Sequence, residues 1–202
     1  MMRTIALVLL LLLDFTLKAQ TPIFNLEDKD RIWEKGAYYK DHHNLLTPYV
    51  GTFIYTNDTI SLKIVMRKKK EQHYMNYYEE DILIGEYEYK VRDRIIVSTL
   101  SSSSTDAINI CGYSISGNTL LTNTNRPFCN ECEANELRLR LRFSDKELEL
   151  GGSMITRKTI LNNQEAIKVF IRCEPQTVYY GDVLPPTQFR VPDGEYILIK
   201  QF

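Results

Sequence analysis

An excess of charge of one sign is missing from this sequence. Across 202 residues, 25 Lys and Arg stand against 26 Asp and Glu, for a formal charge of −1. Neither nucleic acid nor a charged membrane surface therefore has an electrostatic hold on the chain. Histidine is scarce, with His42 and His43 adjacent and His73 apart. Adjacent residues of a strand point to opposite faces, so the pair is a poor chelator and "KDHHNLL" reads as a polar surface segment. No metal ligand set and no cofactor site is nominated. There is no G-x-S-x-G stretch and no phosphate-binding glycine loop, and no serine can be tied to a histidine and an acid. "SSSST", Ser101 to Thr105, is a polar loop, and no carboxylate pair stands out for acid–base work. The expectation is a protein that is not an enzyme, with no catalytic residue; a hydrolase is the third reading.

Long apolar runs are absent after the first segment. That segment, "MMRTIALVLLLLLDFTLKAQ", has Arg3, an apolar stretch from Ile5 to Leu13, then the small residue Ala19. This is the order of a secretory signal, and the stretch is shorter than the ~20 residues a membrane helix needs. Residues 1–19 read as a signal peptide cut after Ala19, leaving Gln20 first. The cut removes Arg3, Asp14 and Lys18 and moves the formal charge to −2. No membrane span is expected, and the protein is placed in the periplasm or outside the cell.

Helical periodicity is missing too. One tryptophan against 13 tyrosines, with many isoleucines and threonines, leans to β structure. Residues 20–48 look irregular, with a short helical turn around Asp28 to Trp33. From Tyr49 the pattern is alternation broken every ~8–12 residues, the signature of an all-β sandwich or barrel. Residues 49–202 are read as one β-barrel domain, an up-and-down antiparallel meander of about 8–10 strands closed to remove exposed edges.

Registers follow from matching apolar faces. In "GTFIYTNDTISLKI", an Asn57-Asp58 turn sets Tyr55 against Ile60 and Phe53 against Leu62. In "YEYKVRDRIIVST", a three-residue loop from Arg92 to Arg94 sets Val91 against Ile95, Tyr89 against Val97 and Tyr87 against Thr99. "ILNNQEAIKVFI" is a third hairpin of open loop length, and Glu195 to Lys200 is the last strand. In "LRLRLRFSDKELEL", a turn at Asp145-Lys146, or a longer loop in the same register, sets Phe143 against Leu148, Leu141 against Leu150 and Arg142 against Glu149. Burying three guanidinium groups would cost several kcal/mol each. Arg138, Arg140 and Arg142 are therefore expected on a solvated or rim face.

"YVGTFIYTND" (49–58), "CNECEANELRLRLRFSD" (129–145), "NQEAIKVFIR" (163–172) and "PDGEYILIKQ" (192–201) carry a resemblance. Together with the signal segment they resemble a family of uncharacterised secreted proteins of flavobacteria and their relatives, a domain of unknown function. The resemblance implies a source and a compartment and no activity. Gly51-Thr52-Phe53 also resembles the Gly-x-Trp of lipocalin-like first strands, with Phe53 in place of the tryptophan, which implies a lipocalin-like barrel.

Cys129-Asn130-Glu131-Cys132 is the sharpest local motif. In an exported protein four cysteines argue first for disulfides. Cys129 and Cys132 can close their own ring or pair with Cys111 and Cys173, giving three connectivities. A four-thiolate zinc site is the rival, but Cys111 and Cys173 lack a second C-x-x-C. A redox thiol wants a helix start, and a strand follows here. "MRKKKEQ", Met66 to Gln72, reads as a solvated hairpin end near the acidic Glu79 to Asp81, or as a patch for an acidic partner. "HYMNYY", His73 to Tyr78, and Tyr179-Tyr180 suit barrel rims or a ligand cavity. The leading functional reading is a binding protein holding a small apolar or amphipathic molecule inside the barrel, since barrels of eight or more strands can enclose a cavity. The alternative is a protein–protein interaction module of the cell envelope or exterior. The ligand-binding residues are unassigned.

Overall fold

The computed structural model describes residues 21–28, 34–72, 77–102, 110–174 and 186–201. The signal segment with Ala19 and Gln20, Trp33, His73, the tail of the Ser101–Thr105 loop, Tyr179, Tyr180 and the Cys111 side chain lie outside that description. The turn expected around Asp28 to Trp33 also falls largely outside it; a 3-10 turn at Leu26–Asp28 stands just before.

The protein is all-β. Its strands are β1 (Ile23–Asn25), β2 (Tyr38–Lys40), β3 (Gly51–Thr56), β4 (Ile60–Gln72), β5 (Glu79–Val91), β6 (Arg94–Ser98), β7 (Ile115–Leu121), β8 (Arg138–Asp145), β9 (Leu150–Leu161), β10 (Gln164–Cys173) and β11 (Gly194–Gln201). Eight of them close an antiparallel barrel in the order β3-β4-β5-β7-β8-β9-β10-β11, with β11 returning to β3. Helical structure among the described residues is limited to short 3-10 turns. The meander is thus an up-and-down barrel, as the alternation implies. The segment before residue 49 adds what alternation does not show: β1 pairs in parallel with β2, and β2 with the start of β5.

β5 organises the closure. One edge runs along β4 for its whole length, and the other is shared by β2, β7 and β6 in turn. The closing seam with β7 spans only three residue pairs, from Leu83↔Gly117 to Gly85↔Ile115. A bulge between Ser116 and Thr119 reinforces it, with Gly117 at φ +136°. That conformation favours glycine, and it turns Asn118 toward β5. The Asn118 amide donates to Glu80 Oε2 and to the Asp81 carbonyl, each at 2.8 Å.

Alternation holds, but register shifts where loops absorb residues. The β3–β4 pair is two residues out from the expectation: Tyr55 faces Leu62 and Phe53 faces Ile64. The Asn57 side chain accepts from Thr59 N at 2.9 Å and Ile60 N at 2.8 Å, closing a longer loop than Asn57-Asp58 alone. In β5–β6 the pairs Tyr89↔Val97 and Tyr87 with Thr99 stand as expected. The turn is Arg92-Asp93, both at positive φ, so Val91 meets Arg94 instead of Ile95 and a bulge near Ile96 takes up the difference. The third hairpin turns at Asn162-Asn163, also at positive φ.

The β8–β9 register differs most. The loop occupies residues 146–149, so Phe143 faces Gly152, Leu141 faces Met154 and Arg142 faces Ser153. Arg142 therefore does not meet Glu149. A shift of an even number of residues keeps each side chain on its face, so the leucines still point inward. The expectation for the arginines holds at Arg140 and Arg142, which are exposed, and fails at Arg138, which is 4% exposed. The loop before β8 folds over Arg138, whose guanidinium donates to the carbonyls of Pro127 (2.8 Å), Thr122 (3.0 Å) and Asn125 (3.4 Å). Three acceptors offset much of the desolvation that otherwise keeps such a group in water.

Inward side chains fill the barrel. Phe53, Leu62, Ile64, Tyr87, Phe143 and Val169 belong to one contiguous buried cluster and are each at most 1% accessible. Tyr87 stacks on Phe143 at 4.6 Å and Phe189 meets Phe143 edge-on at 5.2 Å. Phe189 and Val191 enter from the segment before β11, which Arg190 clamps through Asp145, itself fully buried. A space able to hold a small molecule would leave its lining partly accessible; these linings are not. An eight-stranded barrel either holds one small ligand or is filled by its own side chains, and these buried side chains take the second course. Among the described residues the interior leaves no room for the expected guest.

Candidate functional site

With these interior positions occupied, the open clefts lie on the outer wall. Strands β8 to β11 point Ile155 and Arg157 of β9, Lys168 and Phe170 of β10, and Glu195 of β11 away from the core. The register makes Ile155 the partner of Phe170, and Arg157 the partner of Lys168. Over them leans the loop Pro127–Glu131, with Arg138 beneath it. Together these enclose an open cleft of about 320 Å³. A second, of about 400 Å³, continues along Ile54, Leu161, Ile197 and Ile199 and shares Lys168 and Glu195 with the first.

The loop is held by a disulfide. Cys129 and Cys132 are bonded to each other, which selects the small ring from the pairings open in the sequence. Cys173 is a free, buried thiol on β10, so it is not a disulfide partner. Burial pushes its pKa up, which makes it a poor nucleophile.

The ring presents Glu131 to the wall. Its carboxylate accepts from Arg157 Nη2 at 2.7 Å and from Lys168 Nζ at 2.9 Å. Lys168 also reaches Glu195 at 3.2 Å, and Arg157 reaches Glu136 at 3.4 Å. The hydrogen bond and charge of Lys168, with Arg157 alongside, hold the Glu131 carboxyl below the usual carboxylate range. The Glu131 hydrogen bond in turn holds the Lys168 ammonium above its ordinary value. Beside this polar knot Phe128 is 63% exposed and Phe170 36%. A cationic pair next to two aromatic rings and Ile155 can take a molecule with a charged head and an apolar body.

Other charged groups singled out in the sequence stay largely at the surface and carry partners there. Met66 to Gln72 form the second half of β4 and run to the end of the β4–β5 hairpin ladder at Gln72↔Glu79, with Lys70 opposite Asp81. Lys68 pairs with the buried Asp41 at 3.4 Å, Lys69 lies over the Tyr113 ring, and Lys70 pairs with Glu79 at 2.5 Å. His42 and His43 are exposed, and His43 contacts Glu27. No group of three or more metal-ligating side chains gathers among the described residues. A smaller cleft of about 260 Å³ lies on the β4–β5 wall, beside the buried Glu86. The Glu86 carboxylate has no hydrogen-bond partner among the described residues, and the Lys146 ammonium is 4.0 Å away.

The sequence marked Glu131 only as part of a cysteine motif and passed over Arg157, Lys168, Phe170 and Glu195. A signal was present: in "QEAIKVFIR" the outward positions read Ala, Lys, Phe, Arg, and Phe170 breaks a face that solvent alone would leave polar. The chain's disulfide is compatible with an exported protein. No described helix is long and apolar enough to cross a membrane. No curated protein and no solved structure matches the chain. Its residues 1–201 match a family of unknown function, DUF6705, and the chain belongs to that family.

Proposed function

We propose that this is an exported, non-enzymatic binding protein that takes a small amphipathic molecule in the cleft on its outer wall. The observation that supports it is the pairing, on one patch, of two cations mostly covered by the wall with exposed aromatic rings. Arg157 and Lys168 side chains are 18% and 17% accessible while Phe128 is 63% accessible. A patch kept only for solubility would carry flexible charges and no rings of this kind. Binding of anilinonaphthalene sulfonate, an amphipathic anion, tests it by fluorescence titration. The expected result is one saturable site, weakened about tenfold or more when Lys168→Met and Phe170→Ala are combined, as loss of a charged hydrogen bond predicts. Equal binding by the folded double variant overturns the reading.

A second reading, a surface for another envelope or extracellular protein, is favoured by one feature. The groove runs on past the cleft along Ile54, Ile197 and Ile199, with Ile160 74% exposed on the same sheet. Such a strip is longer than one small ligand needs.

A further inference from the structure

We propose that Glu131 is a tethered competitor: its carboxylate occupies the anion position of the outer cleft, and a carboxylate on an apolar chain binds by taking its place. The inference rests on the binding reading above and names the head group and the exchange.

The two sides of this contact are unlike. Arg157 and Lys168 stand on the barrel wall and are mostly covered, whereas the Glu131 side chain is 65% accessible and arrives on a loop. The cations belong to the site and the carboxylate is a visitor. Its departure leaves neither cation alone, since Arg157 keeps Glu136 and Lys168 keeps Glu195. Exchange of one carboxylate for another conserves charge at the site, so neither partly covered cation is left uncompensated. Phe128, Phe170 and Ile155 border the position and offer an apolar chain a place that the glutamate's two methylenes do not fill.

The tether is short and closed. Glu131 is the third residue of the four-residue ring from Cys129 to Cys132. Ring closure confines the carboxylate near the cations and raises its effective concentration there. A dithiol reductant opens the ring: the S–S bond breaks, each sulfur takes one electron and one proton, and the reductant closes to its own disulfide. The loop stays attached through Arg138 and the Pro127 carbonyl, but Glu131 then competes less well.

Calorimetric titration with octanoate and, as the neutral counterpart, octanol tests this. Glu131→Gln keeps the shape and the ring and removes the charge. It is expected to bind octanoate about two- to fivefold tighter than the unaltered protein, the scale of exposed ion pairs. Octanol is expected to bind both alike. The Cys129→Ser/Cys132→Ser double variant is expected to shift octanoate affinity in the same direction as Glu131→Gln. Octanoate bound no tighter by Glu131→Gln than by the unaltered protein overturns the competitor, even if both ligands bind. If neither protein binds octanoate or octanol, the cleft reading falls with it.

Discussion

Two faces of one strand, β10, differ in kind. Ile167, Val169 and Ile171 point in and are at most 1% accessible; Lys168 and Phe170 point out and line a cleft. The inner face is a solved packing problem with nothing left to bind. The outer face combines cations, a borrowed carboxylate and exposed rings. Alternation at a period of two lets a single segment serve stability on one side and, in the proposed function, recognition on the other. Changes at neighbouring positions should therefore separate the two roles.

The inner face should break first and hardest. Phe143→Ala removes the ring that stacks on Tyr87 and touches Phe189, and is expected to cost about 3–5 kcal/mol in denaturant unfolding. Arg190→Met leaves Asp145 buried without its bidentate partner, and is expected to cost roughly 3–5 kcal/mol by the same measurement. Ile167→Ala is expected to cost about 2–4 kcal/mol and to leave anilinonaphthalene sulfonate binding unchanged. Lys168→Met, one residue on, should do the reverse: a stability change within about 1 kcal/mol and weaker probe binding. If Ile167→Ala and Lys168→Met move both readouts together, the division between the faces is wrong.

Alkali sharpens the comparison without mutation. Burial pushes the phenols of Tyr49 and Tyr87 up, and that of Tyr196 up to about 12. Unfolded tyrosine ionises near pH ~10. Above that pH the unfolded chain binds fewer protons than the folded one, so stability falls as pH rises. Tyrosinate absorbance and circular dichroism followed together should show these phenols ionising only as the strands are lost. Early ionisation of all 13 tyrosines in a still-folded protein would mean the interior is wetter than described.

Face assignments were legible because they depend only on parity. Phe53, Leu141 and Phe143 face inward although two hairpins run in a different register from the one expected. Loop length was less legible. Asn57's side chain closes a longer loop than its turn residues suggest, and residues 146–149 form a loop where a tight turn was also compatible with the pattern. Arg138 was misread because its acceptors are carbonyls of Thr122 and Pro127, and a carbonyl has no sequence signature. In the basic run Arg67, Lys68 and Lys70 are exposed as expected, but their partners had no local signature: Asp41 follows β2 and Glu79 opens β5.

The order of side chains along the chain sufficed to determine an all-β barrel with its leucines inward, because each strand must hide one face and each hairpin joins neighbours. It also marked the cysteines that could bond. Only the tertiary structure decided that the barrel is full, that Cys129 pairs with Cys132, and that Glu131 meets Arg157 and Lys168. The Cys129–Cys132 ring is local, but the other outcomes depend on distances between segments far apart in the chain. They follow from how the strands close on one another, which no local pattern encodes.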